Sequence, residues 1–126
     1  MTPHIKNMKT SAIILAACTL LAATPIISHA GEPSSGTVTV KGEVIDVACY
    51  LRGESGPDHA DCAKTCISSG LPVGLKGEDG KVYLLIGDDK PMNDELAKYA
   101  AQTVTVKGKA VSAAGVNMIE NAEIVK

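Results

Sequence analysis

The hexapeptide Thr37-Val38-Thr39-Val40-Lys41-Gly42 recurs as Thr103-Val104-Thr105-Val106-Lys107-Gly108. Each copy alternates a branched apolar residue with a polar one, the period of a strand with one buried face. Each ends in glycine, which marks a place where a strand coils sharply or bulges. Nothing around the two copies matches, so no duplicated domain is implied. Two long strands bent at glycine instead solve one closure problem with the same residue types.

The rest of the chain supplies partners for these strands. The alternation predicts a first strand over Thr37–Ala48 and later ones over Thr103–Ala113 and Val116–Val125, the last two joined around Ala114-Gly115. Val73–Lys76 and Lys81–Ile86 flank Gly-Glu-Asp-Gly, a hairpin signal. Asp58 is placed to cap a helix over His59–Ser69, which Gly70 and Pro72 stop. A second helix is predicted over Asp94–Ala101, after a polar turn over Asp88–Asn93. Strand, insert, strand, strand, helix, strand, strand is the order of an OB-like Greek-key barrel of five strands. The fold expected is mainly β, with a cysteine-bearing helical insert between strands 1 and 2 and a helix between strands 3 and 4.

The N-terminus points to export. Lys6 and Lys9 precede an apolar run from Ala12 to Ala23, Pro25 breaks it, and Ser28-His29-Ala30 has the small-x-small pattern of a signal-peptidase site. The run of about 12 residues is too short to cross a bilayer as a helix. Leu15-Ala16-Ala17-Cys18 also resembles a lipobox, so lipoprotein anchoring through Cys18 is the minority expectation beside a periplasmic or secreted soluble protein. Residues 1–30 thus read as signal peptide, 31–36 as a flexible lead-in and 37–126 as the domain, with no membrane insertion after cleavage.

Removing 30 of 126 residues leaves 96, enough for one domain. Without Lys6 and Lys9, ten basic residues face 14 acidic ones. Trp and Phe are absent and Tyr numbers three. A nucleic-acid surface needs positive charge and stacking aromatics, so that partner class is excluded, as are anionic membrane surfaces.

Chemistry concentrates in one stretch. Cys49, Cys62 and Cys66 are the cysteines outside the signal-like segment, and His59 is the histidine outside it. On a helix His59, Cys62 and Cys66 fall within roughly 60° of one another. Cys49, at the end of strand 1, can approach that stripe. Three sulfurs and an imidazole suit tetrahedral zinc, and thiolates also select cuprous copper. His59 and Cys66 lie two turns apart, about 10 Å along the axis, so a three-sulfur site with His59 behind the ligands or absent is easier to build than a four-ligand one. A disulfide from Cys49 to Cys62 or Cys66 competes with the metal. It closes a loop of about 14 to 18 residues, worth about 3 kcal/mol, and leaves one thiol. That protein is a stapled module presenting its 51–58 loop to a protein partner. A redox-active thiol is the third reading.

Other polar residues have ordinary expectations. Asp46 reads as a solvent-face charge on strand 1, and Tyr50 as a barrel-rim residue. Asp88, Asp89, Asn93 and Asp94 lack the EF-hand spacing. No Ser-His-Asp set, carboxylate pair or phosphate-cradling glycine motif is present, so no enzyme is expected.

The run Gly-Glu-Val-Ile-Asp-Val-Ala-Cys49-Tyr50-Leu, then His59-Ala-Asp-Cys62-Ala-Lys-Thr-Cys66, then Gly70-Leu-Pro-Val-Gly-Leu resembles small exported bacterial proteins of OB-like fold. The resemblance covers residues 42 to 86. It implies the barrel, the cysteine–tyrosine strand end and the His-x-x-Cys-x-x-x-Cys helix, and it brings no named activity.

Overall fold

The computed structural model describes residues 34–125. The signal-like segment and Cys18 lie outside the described residues. Five strands form a closed barrel, β1 (Ser34–Asp46), β2 (Val73–Gly77), β3 (Val82–Leu85), β4 (Thr103–Ala113) and β5 (Val116–Val125), in the order β1-β2-β3-β5-β4. That is the expected five-stranded order. All neighbours are antiparallel except β3 and β5, which run parallel and close the barrel through pairs such as Leu84 with Met118. Asn117 reinforces this seam, donating to the Val82 carbonyl at 3.2 Å.

The two hexapeptide copies pair with each other. Val40 lies opposite Val106, and the register runs outward from them to Thr37 with Lys109 and Glu43 with Thr103. Gly42 sits where β1 leaves β4 for β2, since it pairs with Val104 on one side and Gly77 on the other. A Cβ there would collide with the Lys76 carbonyl. Gly108 lies at the β4–β5 irregularity, and a Cβ would stand 2.6 Å from the Glu120 carbonyl oxygen. Backbone meets backbone at both bends, so the glycines are steric requirements.

β1 starts at Ser34, which pairs with Ser112, so part of the expected lead-in is strand. Its other end differs more. The strand stops at Asp46, and Val47–Leu51 form a one-turn helix, α1. Cys49 therefore sits on a helix and not on a strand end. A 3-10 turn over Pro57–His59 leads into α2 (Ala60–Ser68). The expected Asp58 cap is not made: the 3-10 turn has Gly56 at its N-cap, and neither it nor α2 has a side-chain cap. Gly70 closes α2 as expected, with φ of 98° and amides of Gly70 and Leu71 returning to the carbonyls of Ile67 and Cys66. The second expected helix is split into α3 (Asn93–Leu96) and a 3-10 turn over Ala97–Tyr99. The backbone beyond is taken by β1: Ala101 donates to the Val44 carbonyl and Val44 to Gln102.

With no Phe or Trp, the core is built mainly from small and aliphatic side chains, with Tyr83 and Met92 among them. Val44, Leu75, Leu85, Val106 and Ile119 fill the barrel, and Ala63 and Ile67 of α2 seal one end together with Leu96, Ala97 and Ala100. Asn93 fastens this lid, donating to the carbonyls of Ile67 and Leu71 at 2.8 and 2.7 Å. Among the described residues, no helix is long and apolar enough to cross a membrane.

Candidate metal centre

Packing decides which way the α2 stripe faces. Ala63 and Ile67 go into the core, so Cys62 and Cys66, one position before each, line the edge of the lid that faces α1. Four hydrogen bonds bring the other groups there. The Asp46 carboxylate caps α1, its Oδ1 accepting from the Ala48 amide at 2.8 Å and, at a longer 3.4 Å, from Cys49. The Val47 amide donates to the Pro72 carbonyl, holding α1 against the end of the α2 connection. Glu43 of β1 accepts from the Gly56 amide at 2.8 Å and pulls the 52–58 loop inward, so that His59 turns toward Cys49.

Two sets of donors result. The ligand atoms of Cys49, His59 and Cys62 all lie within 4.8 Å of one another, and so do those of Asp46, Cys49 and Cys66. A tetrahedral ion with zinc–sulfur bonds of about 2.3 Å keeps its sulfurs about 3.8 Å apart, so small side-chain rotations suffice. The separation expected between His59 and Cys66 is visible in this division. The three sulfurs do not form one set: Cys62 joins His59, Cys66 joins Asp46, and Cys49 belongs to both. These groups could hold a metal ion.

Asp46 overturns its sequence reading. It is only 2% exposed, a buried charge and not a solvent-face one. A lone aspartate ending an alternating strand looks like a polar-face position, yet aspartate is also a preferred helix cap, and that was the available signal. Burial pushes its carboxyl up, but the Cys49 thiol and the Ala48 and Cys49 amides outweigh this and hold it below the ordinary range. The carboxylate in turn pushes the Cys49 thiol, 3% exposed, up to about 12, with burial adding to the effect. Burial first, and Asp46 after it, also push Cys66 upward.

Two polar atoms at this site are buried without a hydrogen-bond partner, Asp46 Oδ2 and His59 Nε2. A buried polar atom left unpaired costs about 1–3 kcal/mol, and native proteins leave few. Here one stands in each donor set.

The remaining candidates fall away from the centre. Asn93 serves the α2 lid, while Asp88, Asp89 and Asp94 are exposed. Tyr50 lies under the Lys76 ammonium, 5.6 Å from the ring centroid.

No protein-family model matches the chain, and neither a curated protein nor a solved structure matches it.

Proposed function

We propose that this chain is an exported small protein that binds a soft transition metal, zinc or copper, at a cysteine-rich centre, and that it handles the metal or uses it to fix its own lid. It is not an enzyme in this reading. The observation that carries it is the convergence of ligand atoms of Cys49, His59 and Cys62 within 4.8 Å, at a histidine whose Nε2 is buried and unpartnered. Two thiolates and an imidazole match the donor preferences of zinc and of cuprous copper. The signal-like sequence supports export, where such a site meets metal outside the cytoplasm.

A second reading has its own observation. The Cys49 sulfur is within 4.8 Å of both Cys62 and Cys66, so either could close a disulfide after a modest rotation. Leu51, 77% exposed at the head of the 51–58 loop, would then be an apolar anchor for a protein partner.

Metal content and free-thiol number, measured on one sample from the compartment where the protein accumulates, separate the two. Bound zinc or copper with three thiols released on chelation supports the metal reading. One thiol, no metal, and no uptake of metal after mild reduction supports the stapled module.

A further inference from the structure

Four donors around a shared sulfur are more than one tetrahedral ion can use. Asp46 Oδ2 and His59 Nε2 are both buried and unpaired, yet they belong to different donor sets. An ion among Cys49, His59 and Cys62 would bind the imidazole and leave the carboxylate as it is. Asp46 is 98% buried, its Oδ1 is committed to capping α1, its Oδ2 has no hydrogen-bond partner, and a carboxylate oxygen lies within 4.8 Å of the Cys49 and Cys66 sulfurs. A thiolate keeps lone pairs after binding one metal, so its sulfur can join two.

We infer that the centre takes two divalent ions bridged by the Cys49 sulfur, one held by Cys49, His59 and Cys62 and the other by Asp46, Cys49 and Cys66. The inference deepens the metal reading and rests on it. Charge favours the pair. Three thiolates and one carboxylate carry four negative charges, and two divalent ions carry four positive ones. Cys49, shared by both sets, and Asp46, of the second, are buried, and buried charges are stable when they are compensated in this way. One divalent ion leaves the other donor set with an uncompensated carboxylate, and two cuprous ions leave two negative charges in a lid made of Ala63 and Ile67. The cargo class is therefore a divalent, sulfur-tolerant ion such as zinc or cadmium. The two subsites differ: sulfur and nitrogen in one, sulfur and a harder carboxylate oxygen in the other. Each supplies three protein donors and leaves a fourth position for water or an exogenous ligand.

The probe is cadmium, added to the reduced full-length domain and read by native mass spectrometry and cadmium NMR. The expected result is two ions per chain and two resonances split by coupling through a common sulfur. The variants Asp46→Asn, which keeps an oxygen to cap α1, and Cys66→Ser are each expected to bind one ion, with the resonance of the Cys49–His59–Cys62 subsite retained. One ion in the wild type overturns the pair and leaves the single-metal reading standing. No ion overturns both. Two ions in the wild type and still two in both variants overturns the assignment of the second subsite to Asp46 and Cys66. The wild-type spectrum decides the bridge even where a variant fails to fold.

Discussion

Cys49 is shielded from electrophiles by position and by charge. It is buried, and the adjacent Asp46 carboxylate disfavours a second anion, so in the metal-free protein its thiol is pushed up to about 12. Thiolate is the reactive form. Iodoacetamide at neutral pH is therefore expected to label exposed Cys62 first, half-buried Cys66 more slowly and Cys49 last, as followed by peptide mass spectrometry. Labelling of Cys49 as early as Cys62 contradicts the burial argued here. The same raised thiol makes a statement about stability. Burial, and then the hydrogen bond from its hydroxyl to Asp79 at 2.6 Å, push Tyr83 up to about 12 as well. Both groups hold protons more tightly folded than unfolded. Their contribution is complete below their ordinary values of 9.0 and 10.0 and is lost as pH rises toward about 12. The melting temperature of the metal-free protein should fall across that interval, and Tyr83→Phe should flatten the upper part of the fall. An unchanged slope in that variant removes Tyr83 from the account.

At the scale of elements, the lid is held by few bonds. The Asn93 side chain spans the end of α2 and the connection after it. Asn93→Ala deletes both bonds and is expected to cost about 1–2 kcal/mol in urea denaturation. A loss under about 0.3 kcal/mol would mean that apolar packing of Ala63 and Ile67 fixes α2 without it. The elements also show what could be read from sequence. Thr103–Ala113, Val116–Val125 and the hairpin around Gly77–Gly80 were legible because alternation and turn residues are local signals. The start of α2 was legible only roughly, since Asp58 is a good cap that the 3-10 turn leaves unused. The helix expected over Asp94–Ala101 stops short because Ala100 and Ala101 are bound by β1, far away in sequence. Asp46 was misread for the same reason. Its burial is created by α2 folding back over the barrel, which no window around residue 46 contains.

For the whole molecule, closure depends on two bends. Gly42→Ala places a methyl group against the Lys76 backbone, where no side chain can move aside, and is expected to cost at least about 3 kcal/mol. Gly36→Ala lies on the same strand with nothing within 4 Å of the added carbon, and is expected to change stability by less than about 0.5 kcal/mol. Thermal melts of the pair test whether the glycines shape the barrel: equal melting temperatures would contradict that. The hexapeptide echo thus carried the architecture, whereas the site required the closed barrel before its donors met. The clustering of Cys49, Cys62, Cys66 and His59 was legible as a helical stripe facing a nearby sulfur. Its division into two donor sets was not, because it depends on Glu43 drawing in the 52–58 loop and Asp46 turning the chain into α1.

The account stands on the Cys49 sulfur as a metal donor at the meeting point of α1 and α2. X-ray absorption at the zinc edge of the zinc-loaded protein tests this most directly, with Cys49→Ser alongside. The account predicts a sulfur shell at about 2.3 Å with a nitrogen or oxygen shell at about 2.0–2.1 Å, and in Cys49→Ser a loss of bound zinc or of sulfur scatterers. A shell of nitrogen and oxygen only, unchanged in Cys49→Ser, would contradict it.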